Sequence, residues 1–171
     1  MLNIAIAGFG WWGRHILTRL QGHDRLSVLA VAEPDQSLHA DIRAMGAEAV
    51  SGFDGVLSDP RVQAVVLTTP HMMHEEQVVA AARAGKHVFC EKPIALTLAD
   101  AEQMVKAART HRRMLLVGHV LPFFPEFNYV LQVVRSRRYG KLLGGHFKRV
   151  ISDPKWLKNY YDPHQVGGPA V

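Results

Sequence analysis

Short runs of apolar residues alternate along the chain with longer segments whose apolar residues recur every three or four positions. The short runs are too short for buried helices, so each predicts a strand buried on both faces of a sheet. The longer segments predict amphipathic helices. The predicted strands are residues 2–7, 26–32, 48–50, 62–69, 87–90 and 114–117, and helices are predicted before Gly22 and at 37–45, 74–84 and 98–110. This alternation predicts an α/β fold with a doubly wound parallel sheet.

The pattern changes near residue 121. A helix is predicted over 125–138 and a long strand over 141–151, whereas 152–171 are rich in Asp, Pro and Gly and predict loops. About fifty residues with one helix and one strand cannot bury a hydrophobic core of their own. We therefore expect one domain at 1–120 and, at 121–171, the incomplete start of a second α/β domain.

The first predicted strand leads into a glycine-rich turn, Gly8-Phe9-Gly10-Trp11-Trp12-Gly13. This turn matches G-x-G-x-x-G, in which the first glycine allows a tight turn, the second lets a pyrophosphate approach, and the third lets the helix lie close to the strand. The helix N-terminus adds unpaired N–H groups and a positive dipole end. Alone, the motif also fits an ordinary tight turn, and the two tryptophans either flank a cofactor or pack the turn.

The second predicted strand ends at Glu33, 20 residues beyond Gly13. An acid at this distance can accept hydrogen bonds from the adenosine ribose hydroxyls and repel a 2′-phosphate. The alternative is that Glu33 only caps the helix that Pro34 and Asp35 begin. Because strand, turn, helix, second strand and acid agree, we expect a dinucleotide site in a Rossmann-like domain, with NAD preferred over NADP.

Other chemically capable residues follow the predicted strands at their carboxyl ends, where ligands bind in doubly wound sheets. They are Thr68 to His74 after the fourth strand, Glu91-Lys92-Pro93 after the fifth and His119 after the sixth. Lys92 can donate a hydrogen bond to a substrate hydroxyl or carbonyl and help manage a proton. A cis bond before Pro93 would fix the direction of Lys92. A surface Lys-Pro turn explains the same residues equally well.

Three motifs together resemble the Gfo/Idh/MocA family: the glycine turn, Thr69-Pro70-His71-x-x-His74, and Gly85-Lys-His-Val-Phe-Cys-Glu-Lys-Pro93. The resemblance covers the whole chain and implies an NAD(P)-dependent oxidoreductase that acts on sugars, inositols or related polyols. It implies that Lys92 is the catalytic lysine beside the nicotinamide and that Glu91 helps form the cofactor pocket. Taken with the spacing arguments, the expected cofactor contacts are Gly8, Phe9, Gly10, Trp11, Trp12, Gly13, Glu33, Thr68, Thr69, Pro70, His74, Glu91, Lys92 and His119.

The family resemblance also implies a mostly antiparallel second domain that supports substrate binding and subunit contacts, and hence a homo-oligomeric full-length protein. The chain departs from the family's pattern in three places. Pro122 and Leu157 stand where members often carry arginine, and Gly167-Gly-Pro-Ala-Val171 ends before the family's acid–base histidine. We therefore expect an N-terminal fragment that does not turn over by itself.

Composition narrows the expected partners. The chain carries 20 basic and 15 acidic residues, a net charge of +5, and the basic excess lies in 101–171. Because no nucleic-acid motif accompanies it, we expect a cationic helix end around Arg135, Arg137 and Arg138 rather than a nucleic-acid site. No apolar run is long enough for a membrane span, and no signal peptide precedes the first strand. Together with the single cysteine, this predicts a cytoplasmic location.

The remaining candidate residues predict no separate chemistry. His71 and His74 have a spacing that could bind a metal ion, but no third ligand is near in sequence, so no metal is expected. Cys90 is expected to be a small buried strand residue rather than a nucleophile. The function that fits best is hydride transfer between NAD(P) and a hydroxyl-bearing carbon. The alternative is a non-catalytic nucleotide-binding sensor, and the intact Lys92 favours the enzyme.

Overall fold

A computed structural model describes residues 1–148 and 150. In this part of the chain the strands are β1 (Leu2–Ala7), β2 (Leu26–Ala32), β3 (Glu48–Val50), β4 (Ala64–Leu67), β5 (His87–Cys90) and β6 (Leu115–Val117). The helices are α1 (Trp11–Leu20), α2 (His39–Ala44), α3 (Phe53–Ser58), α4 (His74–Arg83), α5 (Leu98–Thr110) and α6 (Pro125–Ser136). Single turns of 3₁₀ helix are formed by Gln36–Leu38, His71–Met73 and Leu121–Phe123.

The six strands form one sheet in the order β3-β2-β1-β4-β5-β6, and every neighbouring pair is parallel. The chain winds outward from β1 in one direction and then returns to β4 on the other side of β1. This reversal of strand order leaves a crevice outside the carboxyl ends of β1 and β4, which is where doubly wound sheets bind dinucleotides. The predicted α/β fold with a doubly wound, Rossmann-like parallel sheet is confirmed.

Two hydrophobic clusters cover the two faces of the sheet. One cluster packs Leu17 of α1 and Ile42 of α2 against the strands. The other packs Val78 and Ala81 of α4 and Met104 of α5 against the opposite face. Because both faces are covered, successive residues of the central strands are buried, and the sequence shows continuous apolar runs there instead of alternation.

The predicted strand over 141–151 is wrong for the residues that the structure describes. Residues 141–148 and 150 form neither strand nor helix, and residues 149 and 151 lie outside the described part. A strand needs a neighbour to pair with its backbone N–H and C=O groups, and in the described residues β6 ends the sheet. The predicted loops at 152–171 also lie outside the described residues. None of the described helices is both long and apolar enough to cross a membrane.

Lys86 is a buried cation at the end of the sheet opposite the glycine turn. Only 7% of its surface is exposed. Its Nζ donates hydrogen bonds to the carbonyl oxygens of Asp59, at 2.7 Å, and Val62, at 2.8 Å. Lys86 therefore ties the loop before β4 to the start of β5 and satisfies its own charge with backbone acceptors.

Replacing Lys86 by methionine should lower the free energy of unfolding by about 1–3 kcal/mol, because the hydrocarbon stem is kept while two carbonyl oxygens lose their donor. Urea unfolding followed by circular dichroism measures the change. Lys106→Met is the matched control, since Lys106 is exposed on α5, and it should alter stability by less than about 0.5 kcal/mol. Equal stability of the Lys86 and Lys106 variants would contradict the assigned role of these hydrogen bonds.

Candidate functional site

The turn between β1 and α1 is packed closely against the residue that follows β4. Gly8 has a φ of +91°, a backbone angle that residues with a side chain rarely adopt. A Cβ on Gly13 would overlap the Gly8 carbonyl oxygen and lie 2.8 Å from Thr68 Oγ1. The Thr68 hydroxyl is itself shared between the carbonyl oxygens of Ala7, at 2.9 Å, and Gly8, at 3.0 Å. The first and third glycines are therefore required by packing, and Thr68 supports the turn.

Gly10 differs from these two glycines, because a Cβ on it would meet no atom within 4 Å. It is the N-cap residue of α1 and provides no side-chain hydrogen bond to the helix. The first turn of α1 also contains no acidic residue. The N-terminus of α1 thus offers backbone donors, a positive dipole end and free space, the features that bind a phosphate group.

Glu33 follows β2 and is hydrogen-bonded to the glycine turn. Its Oε2 accepts from the Phe9 N–H at 2.8 Å, and its Oε1 accepts from the Asp35 N–H at 3.0 Å. Capping of the next helical turn falls to Asp35, whose carboxylate accepts from the Ser37 N–H. A carboxylate has about four acceptor positions, so Glu33 keeps the capacity to accept further hydrogen bonds from hydroxyl groups.

A buried histidine joins the loop after β4 to the loop after β5. His74 is 0% exposed. Its Nδ1 lies 3.0 Å from the Pro93 carbonyl oxygen and its Nε2 lies 3.2 Å from that of Thr69. Both ring nitrogens face acceptors, so a neutral ring donates to one carbonyl at a time. The Thr69 hydroxyl is held in turn by the side-chain oxygen of Gln77.

Two exposed side chains with acid–base capacity lie at the same carboxyl edge of the sheet. Lys92 is exposed directly after β5, and the Lys92–Pro93 peptide bond is cis. His119 is exposed after β6. Its backbone N–H donates a hydrogen bond to the Val117 carbonyl oxygen at 2.7 Å. Pro70 precedes the 3₁₀ turn that leads into α4.

Three chain segments meet at the carboxylate of Glu91. Its Oε1 accepts from the indole Nε1–H of Trp12 at 2.7 Å, and its Oε2 accepts from the Lys92 N–H at 3.2 Å. A Cβ on Gly118 would lie 3.1–3.2 Å from the carboxyl atoms. The Glu91 carboxylate therefore links the start of α1 to the end of β5 and occupies space that Gly118 leaves at the end of β6.

Trp12 also belongs to an aromatic stack on the first turns of α1. Its ring centroid lies 5.4 Å from that of Trp11 and 5.3 Å from that of His15, with interplanar angles of 25° and 11°. Trp11 is 68% exposed. The two tryptophan rings thus pack on one another, and the indole of Trp12 additionally reaches across the edge of the sheet to Glu91.

Cys90 precedes Glu91 and is fully buried in β5, as predicted. Burial, and to a lesser degree the charge of Glu91, raises the pKa of the Cys90 thiol to about 12. The thiol is therefore protonated at neutral pH and is a poor nucleophile. Within residues 1–148, no group of three or more His, Cys, Asp or Glu side chains is arranged to hold a metal ion.

The structure brings the predicted residues together at one edge of the sheet and adds two that the sequence analysis did not single out. Gly118 leaves room for Glu91, and Gln77 holds Thr69. Gly118 could have been recognised, because a glycine directly after a predicted strand often permits a close approach. Gln77 carries no such signal, since it lies within a helix and its partner is eight residues away.

Curated relatives align with most of this chain. The 2,7-anhydro-N-acetylneuraminate hydratase of Escherichia coli strain K12 is 32% identical over 151 residues, which cover 87% of this chain and 40% of the relative. The inositol 2-dehydrogenase of Pseudomonas fluorescens is 35% identical over 164 residues, which cover 93% of this chain and 48% of the relative. This chain therefore spans less than half the length of these curated relatives.

The chain matches solved structures in its fold and a family model in its sequence. The WlbA dehydrogenase of Chromobacterium violaceum, solved with NADH and UDP-GlcNAcA, matches with a TM-score of 0.77 and 28% identity, covering 81% of this chain and 41% of that chain. The model GFO_IDH_MocA, described as an oxidoreductase family with an NAD-binding Rossmann fold, matches residues 2–119. These matches confirm the resemblance that the motifs indicated. The chain belongs to the Gfo/Idh/MocA oxidoreductase family, and residues 2–119 form that family's NAD-binding Rossmann fold.

Proposed function

We propose that this chain supplies the dinucleotide-binding part of an oxidoreductase that transfers a hydride between NAD and a hydroxyl-bearing carbon of a sugar-, inositol- or polyol-like substrate. The observation that carries the proposal is the meeting of the glycine turn, Glu33 and Glu91 at one edge of the parallel sheet. Family membership supports the oxidoreductase class. NADP is the alternative cofactor, and a non-catalytic nucleotide sensor is the alternative role.

The proposed cofactor contacts lie on both sides of β1. The pyrophosphate would lie over Gly10, where an added side chain would meet open space, at the N-terminus of α1. Glu33 lies beyond β2, on one side of β1, and would accept the ribose hydroxyls of the adenosine half. Glu91 and Lys92 lie beyond β5, on the other side of β1, and would lie with the nicotinamide half.

Lys92 is the proposed catalytic residue. When bound, NAD supplies the hydride acceptor. The exposed ammonium of Lys92 would donate a hydrogen bond to the substrate oxygen whose carbon gives up the hydride, and its charge would stabilise negative charge on that oxygen. His74 would act as a positioning residue, because its ring contacts the carbonyl of Pro93. The resemblance assigns the proton-transferring histidine to a position beyond residue 171, so we expect no turnover from these residues alone.

The proposed substrate class comes from the relatives. One relative is named an inositol dehydrogenase, and one neighbouring structure contains UDP-GlcNAcA, so a polyhydroxylated substrate is proposed for this protein as well. Another relative is named a hydratase. Because relatives with different reaction names are similar to this same part, we infer that the substrate and the net reaction are selected largely outside it.

We propose a domain boundary at residue 120, with 121–171 beginning a second domain. The family match ends at residue 119. The helix α6 has no buried residue in the part of the chain that the structure describes, although its apolar side chains include Phe127 and Val130. Such a stripe needs a packing partner. We propose that this partner is the remainder of a mostly antiparallel α/β domain, which would also carry subunit contacts in a homo-oligomer.

The substitutions Gly10→Ala and Gly13→Ala should separate binding from stability. Gly10→Ala should change the free energy of unfolding by less than about 1 kcal/mol but weaken NADH binding at least about tenfold, because the methyl group enters the proposed pyrophosphate space. Gly13→Ala should destabilise the chain by about 1–3 kcal/mol or more through overlap with the Gly8 carbonyl. Thermal unfolding and NADH fluorescence titration measure the two effects. Unchanged NADH affinity in a folded Gly10→Ala chain would contradict the proposed site.

Glu33 should make the chain prefer NADH over NADPH. We expect an affinity ratio of about tenfold, because the carboxylate repels a 2′-phosphate, and Glu33→Gln should reduce the ratio towards one. Parallel fluorescence titrations with both reduced cofactors measure it. Glu102→Gln, which removes one exposed charge from α5, is the matched control and should leave the ratio unchanged. Tighter NADPH binding that is insensitive to Glu33→Gln would reverse the assignment.

Turnover should require Lys92 together with residues beyond 171. The 171-residue chain should form no NADH from NAD and a panel of inositols, hexoses and sugar acids. A longer protein that carries these residues should do so with at least one member of the panel. In that longer protein Lys92→Met should lower kcat by about 10²–10⁴-fold, whereas Lys106→Met should not. Turnover by the 171-residue chain at the rate of the longer protein would overturn the placement of the acid–base histidine.

A further inference from the structure

The hydrogen bond between Trp12 and Glu91 joins two parts of the site that lie 79 residues apart in the chain. The indole Nε1 lies 2.7 Å from Glu91 Oε1, at the short end of the range for N–H···O hydrogen bonds. The other carboxylate oxygen has a longer bond, 3.2 Å, to the Lys92 N–H. In the part of the chain that the structure describes, the hydrogen bond from the indole is therefore the shorter of the two that this carboxylate accepts.

We propose that Trp12 is a positioning residue for the nicotinamide end of the site, where it acts through Glu91. This inference rests on the proposed dinucleotide function. The indole N–H fixes the Glu91 carboxylate beside the backbone of Lys92, so that the carboxylate is in place before the cofactor binds. Trp12 thereby contributes to NADH affinity through its N–H group and not only through the surface of its ring.

Two features make the indole a rigid donor. Its ring packs against both Trp11 and His15, with centroids 5.4 Å and 5.3 Å away, so the Nε1–H direction is restricted. The carboxylate is restricted as well, because it occupies the space that the missing Cβ of Gly118 leaves. A hydrogen bond between two groups that are already ordered loses little further conformational entropy, and preorganisation of this kind favours binding.

The position of Glu91 in the sheet provides a test that distinguishes positioning from general support of the turn. Glu91 follows β5, whereas Glu33 and its contact to the turn lie on the other side of β1. A ligand that lacks nicotinamide should therefore not depend on the Trp12–Glu91 bond. ADP-ribose is such a probe, since it keeps the adenosine, pyrophosphate and second ribose but has no nicotinamide ring.

The experiment measures the affinities of NADH and ADP-ribose for the unchanged chain, Trp12→Phe, Glu91→Ala and the double variant by isothermal titration calorimetry. We expect Trp12→Phe to weaken NADH binding about tenfold, the scale of one hydrogen bond to a charged group, and to leave ADP-ribose affinity within about twofold. In the Glu91→Ala background, Trp12→Phe should have no further effect on NADH, because no carboxylate remains to be positioned. An equal loss for both ligands, or full additivity in the double variant, would overturn the inference.

His15→Leu is the matched control, because it removes a ring from the stack but keeps the indole donor. It should leave NADH affinity within about twofold, because the indole still stacks on Trp11 and still donates to Glu91; a tenfold loss would assign the effect to the stack instead of the N–H group. The Trp12 indole proton resonance provides an independent readout, since it should shift upfield when Glu91 is replaced by alanine and the hydrogen bond is lost; an unshifted resonance in Glu91→Ala would also overturn the inference. If the unchanged chain bound neither ligand, the proposed dinucleotide function would fail first, which separates the two failures.

Discussion

The close contact between Gly13 of α1 and the Gly8 carbonyl oxygen is the constraint on which the rest of the site depends. A side chain on Gly13 would overlap that oxygen and press on Thr68, so the helix would have to move away from β1. The other features of the turn depend on where α1 lies. The space over Gly10, the direction of the helix dipole and the reach of the Trp12 indole all change if the helix moves.

Two carboxylates hold the glycine turn from opposite sides of β1. Glu33, after β2, accepts from the Phe9 N–H, and Glu91, after β5, accepts from the Trp12 indole. The turn itself contains no charged residue, so these acids do not compensate a charge within it. Each carboxylate instead fixes the direction of one N–H group, that of the Phe9 backbone or that of the Trp12 indole. The same two acids are the proposed contacts for the two halves of a dinucleotide, and therefore the groups that would bind the ligand also hold the turn that receives its pyrophosphate.

The fold was predictable because its signals are local. Each central strand is a continuous apolar run, and the helix predicted at 98–110 is α5, whose N-terminus is capped by the Thr97 side chain. The contacts of the site were not predictable in the same way, because they join residues far apart in the chain, as Trp12 to Glu91 and His74 to Pro93 do. The strand expected over 141–151 failed for a related reason. Strand-forming composition is local, but pairing needs a neighbour, and none lies beyond β6 in the described residues.

The site separates buried supports from exposed groups, and this separation bears on what can vary among relatives. His74, Gly118 and Gln77 are buried, whereas Lys92 and His119 are exposed at the edge of the sheet. Changing His74 would disturb two loops at once, since its ring contacts the carbonyl oxygens of Thr69 and Pro93. Changing what lies over the exposed edge leaves the supports intact. A relative named a hydratase and another named a dehydrogenase are both similar to this part of the chain, and under the proposed function the groups that cover the exposed edge would account for the difference in reaction.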